Sequence, residues 1–331
     1  MDMWLLAAQL TMSGCVPRLP LPHTVATLPS DLEARRGVAS LADADIETAA
    51  SPSGMAAIAE ADSPPGPRPR TMSAAAAHWP RPEQMMTPRP PALPQGYERL
   101  KPVTGSQLYQ FRIAALQAGE TYAQAVPYRY LSQWQRAFDS PTHDQWQGLL
   151  AAEAEAMARR QGQAPLTVLV GDSLSLWLPV DELPADQLWL NQSISGETTD
   201  HMRRRLHYFA ATRPTEIHLM AGINDLKQGA TEAAVLDNWH SMLDQIRRQH
   251  PQARLVVYSI LPTRRRDLPS DRIQRVNHRL VALARSQGAT FVDLHPVFSD
   301  DQGQLRADLT TDGLHLSPSG YRLWRTALVN P

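Results

Sequence analysis

A serine, a histidine and an aspartate that together can carry acyl transfer stand at points where this chain has to turn sharply. Ser173 closes "TVLVGDS" (167–173), where an apolar run stops on glycine, carboxylate and hydroxyl. Asp312 and His315 lie three residues apart in "TTDGLHLS" (310–317). A serine nucleophile needs a base for its proton, a group to orient that base and donors for the oxyanion. The Asp312/His315 spacing lets one turn hold the imidazole on the carboxylate, with the other ring nitrogen free for a hydroxyl. An imidazole, with an ordinary pKa of about 6.5, is a competent base at neutral pH. The backbone N–H groups of Ser173 and of Gly196, in "NQSISGETT" (191–199), and the side-chain amide of Asn224, in "AGIND" (221–225), can supply the oxyanion donors.

Taken singly, each of these residues has a plainer reading. Gly-Asp-Ser suits a β-turn leading into a helix N-cap, with Asp172 bonding turn amides. Gly196 can serve a positive φ, and Asp225 can brace its loop. By spacing alone His295, two residues after Asp293, rivals His315 as base, and Asp293, His295, Asp312 and His315 could form a metal quartet. The serine chemistry needs neither metal nor cofactor, and none is expected.

The elements that must position these residues begin at 164. Strands are expected at 166–171, 187–192, 216–222, 253–260 and 289–294, several as continuous apolar runs of the kind that parallel strands covered on both faces require. Helical periodicity alternates with them. It covers 199–212 (Met202, Leu206, Phe209), 231–249 (Val235, Trp239, Met242, Leu243, Ile246) and 271–287 (Ile273, Val276, Leu280, Leu283), and a last helix is opened by Ser317-Pro318. This alternation implies a doubly wound α/β/α sandwich on a five-stranded parallel sheet, in which ligands bind at the carboxyl ends of the strands. Every candidate site residue named above falls on that edge.

Residues 101–163 read as a small helical extension. Its helices are expected in "SQLYQFRIAALQAG", in "PYRYLSQWQRAFDSP" on Leu131, Trp134 and Phe138, and in "THDQWQGLLAAEAEAMARRQG" on Trp146, Leu150 and Met157. Their apolar stripes are expected to pack on the domain that follows. Residues 1–100 hold 15 of the chain's 28 prolines and show no apolar period, so they read as a disordered tail. The start "MDMWLLAAQLTMSGC" (1–15) resembles a lipoprotein lipobox ending at Cys15, yet carries Asp2 and no basic residue. Location is therefore read as cytoplasmic or exported. The formal net charge of −1 gives no footing for nucleic acid, the single cysteine excludes an internal disulfide, and no apolar run reaches the roughly 20 residues of a membrane span.

"GDSLS", "ISGETT", "GIND" and "DGLHLS" occur in this order, each at an expected strand end or before an expected helix. Together they resemble the four signature blocks of the SGNH (GDSL-type) hydrolases, a family of esterases and lipases. The resemblance covers about 164–331. The run from "VGDSLSLW" to "MAGINDL" is similar to a cyanobacterial branch with a comparable helical preface. The family's serine, glycine, asparagine and histidine match Ser173, Gly196, Asn224 and His315, and its D-x-x-H aspartate matches Asp312. The resemblance implies a flavodoxin-like three-layer fold and selects His315 over His295. The G-x-S-x-G elbow of α/β-hydrolases does not fit, because Ser175 stands where its glycine would be.

The function expected is a serine esterase or acylhydrolase acting on a small ester or acylated substrate through an acyl-enzyme on Ser173. Two readings stand beside it: a carbohydrate O-acetylesterase or acyltransferase using the same residues, and a degenerate hydrolase kept as an interaction protein. Leu174, Trp177, Ile194, Leu226, Leu261 and Leu314 flank the blocks as packing residues or an acyl pocket. "TRRRD" (263–267) is read as a solvated loop before an anion-binding patch. Oligomeric state is not legible.

Overall fold

The structure is a computed structural model that describes residues 100–329, apart from 122, 181, 182 and 185. The expectations for the tail, the lipobox and Cys15 lie outside the described residues.

Five parallel strands form the sheet: β1 (Leu166–Gly171), β2 (Leu188–Ser193), β3 (Glu216–Met220), β4 (Arg254–Tyr258) and β5 (Thr290–Val292), in the order β2-β1-β3-β4-β5. This is the flavodoxin-like order, and its switch point lies between β1 and β3. All six residues of β1 are buried, because it is central and covered on both faces. Alternate side chains feed two cores. Val168, Val170, Leu190, Ile217, Leu219, Leu255 and Val257 point to one face, and Leu169, Trp189, Val256 and Tyr258 to the other.

The first face is covered by α5 (Thr199–Arg205), α7 (Glu232–Gln249) and α8 (Ser270–Ser286), which bring Met202, Trp239, Met242, Ile273 and Val276 to the core. The second is covered by α10 (Pro318–Val329), through Tyr321, Trp324 and Leu328. The helix expected at 199–212 divides. It leaves α geometry at Arg205 (φ −112°, ψ 4°) and continues as a 3₁₀ turn over Leu206–Phe209, because the Arg205 side chain is drawn under the loop before α5. The strand expected at 289–294 shortens to three residues, since the Leu294 and His295 amides turn to the Ser259 hydroxyl, at 2.8 and 3.0 Å, and the chain enters the single turn α9 (His295–Phe298).

Before β1 come α1 (Gly105–Gln117), the single turn α2 (Leu131–Trp134) and α3 (His143–Arg160). Thr142 and Gln145 close a capping box at the start of α3. Phe111, Trp134, Trp146 and Leu150 form a third cluster, which takes in Leu176 and Ile194 from the sheet domain. The longer helix expected through Phe138 is not formed. Asp139-Ser140-Pro141 must release the chain into the cap at Thr142, so helix ends at Trp134 and Phe138 is 82% exposed.

Candidate active site

Gly171 ends β1 because nothing larger fits. A Cβ there would lie 2.2 Å from the Ser175 hydroxyl and 2.8 Å from the Met220 carbonyl oxygen of β3. The chain then turns at once into α4 (Ser173–Leu176), with Asp172 as its cap: Asp172 Oδ1 accepts from the Leu174 amide at 3.0 Å. Ser173 thus stands at the first position of a one-turn helix, at the carboxyl end of β1. Its N–H has no helical carbonyl to donate to.

Ser173 Oγ lies 3.2 Å from His315 Nε2, and His315 Nδ1 lies 2.8 Å from Asp312 Oδ2. A carboxylate can only accept, so Nδ1 carries the proton and Nε2 is left to accept from the serine hydroxyl. The Asp312 loop is built to keep this geometry. Asp312 Oδ1 accepts the His315 and Leu314 amides at 2.8 and 3.0 Å, and Thr310 Oγ1 donates to the His315 carbonyl at 2.7 Å. Burial works to raise the Asp312 carboxyl, but the His315 ring and these amides outweigh it and hold it at about 2.

On the other side of Ser173, Gly196 has φ +82° with no atom near a would-be Cβ, so the backbone conformation, not space, asks for glycine. Asn224 lies in the first turn of α6 (Ile223–Lys227) after β3, and it is buried. Its Nδ2 donates to the Glu197 carbonyl at 3.1 Å. This bond fixes one amide hydrogen and leaves the other for a ligand. Asp225 accepts from the Thr199 amide at 2.9 Å and thereby ties α6 to the start of α5. Burial pushes its carboxyl up, against the Thr199 donors. Asp172 is fully buried, and its carboxyl is pushed up to about 7 by that burial, against the Leu174 amide.

The structure therefore brings Ser173, His315 and Asp312 together and joins the Gly196 and Asn224 blocks through Glu197. His295 is elsewhere engaged: it is buried, and its Nδ1 lies 3.3 Å from Ser299 Oγ. Among the described residues no three His, Cys, Asp or Glu side chains are grouped to hold a metal, so the Asp293/His295/Asp312/His315 quartet does not form. In "TRRRD", Arg264 pairs with Asp300 at 2.7 Å and its amide donates to the Gly313 carbonyl at 2.8 Å, bracing the histidine loop, while Arg265 pairs with Asp267. Leu174, Ile194, Leu226, Leu261 and Leu314 are all buried within the three cores, and Trp177 packs at the border of two of them.

The residues that sequence reasoning missed lie one layer out. Glu197 and Arg205 form a buried ion pair (Nε to Oε2 2.8 Å), and Arg205 Nη1 donates to the Gln192 carbonyl at 2.7 Å. Arg112 and Glu153 form a second pair between α1 and α3 (Nε to Oε1 2.9 Å), and Arg112 Nη2 donates to the Asn191 carbonyl at 2.8 Å. Asn191 Nδ2 in turn donates to the Ser175 carbonyl at 2.7 Å. The GETT block contained Glu197, but nothing in its spacing marked it as buried.

The sequence model of the GDSL-like lipase/acylhydrolase family matches residues 139–323. Platelet-activating factor acetylhydrolase IB subunit alpha1 of Pongo abelii is 30% identical over 178 residues, covering 50% of this chain and 74% of that protein. The Homo sapiens protein of the same name is 29% identical over the same share of each chain. Among solved structures, one from Streptococcus pneumonia assigned as a platelet activating factor is 25% identical with a TM-score of 0.50, covering 56% of this chain and 91% of that one.

Proposed function

Because this chain belongs to the GDSL-like lipase/acylhydrolase family, we propose that it is a serine esterase that works through an acyl-enzyme on Ser173. The observation that carries the reading is the Ser173–His315–Asp312 relay, at 3.2 and 2.8 Å. A degenerate protein kept only for interaction has no need of that alignment.

The steps follow from the geometry. Ser173 Oγ attacks the ester carbonyl carbon as its proton passes to His315 Nε2. Asp312, ionised at any working pH because its carboxyl is held at about 2, stabilises the imidazolium and keeps the proton-bearing Nδ1 turned toward itself. The negative oxygen of the tetrahedral intermediate is received by the Ser173 and Gly196 amides and the free Asn224 hydrogen. A donor of this kind is typically worth about 10²–10³ in rate. His315 returns its proton to the leaving alcohol as the C–O bond breaks. Water, deprotonated by the same nitrogen, then releases the acid and regenerates Ser173.

The matched relatives are acetylhydrolases by name, so short acyl esters are the first substrates to offer. The test is hydrolysis of p-nitrophenyl acetate and longer-chain esters by the full chain beside Ser173→Ala, with fluorophosphonate labelling of both. Turnover and labelling by the wild type alone are expected. Absence of labelling in the wild type would return the interaction-protein reading to first place.

A further inference from the structure

We infer that Glu197 is a positioning residue for the oxyanion donors, held from one side by Arg205 and from the other by His143 of the helical preface. The inference rests on the esterase reading above and deepens it. Glu197 follows Gly196 directly, and its carbonyl is the acceptor that orients Asn224 Nδ2, at 3.1 Å. One residue therefore sets two of the three proposed donors: the Gly196 N–H by chain continuity and the Asn224 amide by hydrogen bond.

The side chain of Glu197 explains how that residue is itself kept still. It is 1% exposed, as is Arg205. Arg205 grips it in a forked arrangement, with Nε 3.0 and 2.8 Å from the two carboxylate oxygens and Nη2 on Oε2. The remaining Nη1 is anchored to the Gln192 carbonyl in β2. Carboxylate, guanidinium and strand end form a rigid bracket, since a forked pair fixes direction as well as distance.

The second hold comes from outside the sheet domain. His143, the first residue of α3, sets Nε2 3.0 Å from Glu197 Oε1 and remains 43% exposed. Its ring also meets that of His201 in α5, edge to face, with centroids 5.5 Å apart. The capping boxes at Thr142 and Thr198 fix the starts of both helices, so the two histidines converge from defined positions. On this account the preface helix is part of the catalytic support.

The test is a double-mutant cycle on p-nitrophenyl acetate hydrolysis, with thermal melting as the check on folding. Glu197→Gln keeps the shape but weakens the hold of Arg205 and His143. It is expected to lower kcat about 10- to 100-fold with little change in KM, because a misplaced donor forfeits much of its effect. In an Asn224→Ala background the same change is expected to cost markedly less, no more than about 3-fold, since only the Gly196 N–H is left for it to position. If the two losses multiply, Glu197 acts through general stability and the inference fails. Should Glu197→Gln not fold, His143 decides. His143→Ala, at an exposed site, is expected to lower kcat about 3-fold in the wild-type background and by less in Asn224→Ala, with His143→Gln restoring the rate by replacing the donor. A His143→Ala rate equal to wild type overturns the inference. Full activity in Asn224→Ala itself would instead remove the oxyanion assignment, and this inference with it.

Discussion

Replacing Asp172 by asparagine is expected to stabilise the protein at alkaline pH, by an amount the structure sets. The carboxyl is 1% exposed, and burial pushes it up to about 7 from an ordinary 3.8. The nearby carboxylates of Asp225 and Glu197 add to the rise, and the Leu174 amide and the His315 ring oppose it. A carboxyl raised in the folded state binds its proton more tightly there than in the unfolded chain. Its contribution to stability is therefore fully present below pH 3.8 and is lost as pH rises toward about 7. At ~1.36 kcal/mol per pH unit the whole loss is about 4 kcal/mol, and about 2–3 kcal/mol of it falls between pH 5 and pH 8. Asparagine has no proton to lose, yet its side-chain oxygen can still accept from Leu174. Urea unfolding of wild type and Asp172→Asn at both pH values measures this. The wild type is expected to lose about 2–3 kcal/mol more than the variant on going to pH 8, a gap of about 5–10 °C in Tm for a folded region of this size. Equal losses, within about 0.5 kcal/mol, would refute the reasoning and show that the native Asp172 carboxyl ionises like an exposed one.

Further outcomes follow from contacts in and around the site. Asp312→Asn keeps an acceptor for the two backbone amides only by turning its NH₂ toward His315 Nδ1, which forces the ring proton onto Nε2. Steady-state kinetics should show kcat down by about 10³–10⁴ with thermal stability nearly unchanged. Gly171→Ala drives a methyl to 2.2 Å from the Ser175 hydroxyl and 2.8 Å from the Met220 carbonyl, so urea titration should show about 1–3 kcal/mol of destabilisation, with slower turnover as Ser173 shifts. Glu153→Ala removes the carboxylate that the fully buried Arg112 grips and should cost about 3–5 kcal/mol by the same assay, while joint replacement of both by apolar residues of similar volume should cost far less.

The sheet and its covering helices were legible because burial imposes a period. A central strand buried on both faces must read as "LTVLV", and a helix on one face must repeat its apolar residues as Val235, Trp239 and Met242 do. The candidate triad was legible because acyl transfer restricts residue type and because Asp312 and His315 are close enough for one turn to join them. The choice of His315 over His295 needed the pattern of all four blocks, since both histidines sit on the same sheet edge. What could not be read is the layer beneath. Arg205 stands in "HMRRRL" and looks like part of a solvated charged run, and Arg112 and Glu153 meet from 41 positions apart. Buried charges carry no periodic signal, because what permits them is a partner that only the folded chain supplies. Phe138 errs in the opposite sense: its spacing suits a helix face, but Pro141 and the cap at Thr142 end that helix first.

Both buried guanidiniums serve one piece of backbone. Arg112 holds the Asn191 carbonyl and Arg205 the Gln192 carbonyl, so consecutive peptide groups at the end of β2 are each clamped by a guanidinium that also grips a glutamate. Such pairs are poor investments if stability alone matters, since apolar replacements of equal volume are often as good or better. Their advantage is directional. Apolar contact is indifferent to a sliding of several tenths of an ångström, whereas a forked charge pair fixes both angle and distance. From this clamped strand end the chain runs to Gly196 and Glu197, and from Asn191 a side-chain bond reaches back to the carbonyl of Ser175 in the helix that carries Ser173. The groups proposed to attack the carbonyl and the groups proposed to receive its oxygen are thus referenced to the same two residues. Where a misplacement of about 1 Å can cost a hundredfold in rate, charge in the interior is better explained by positioning than by stability.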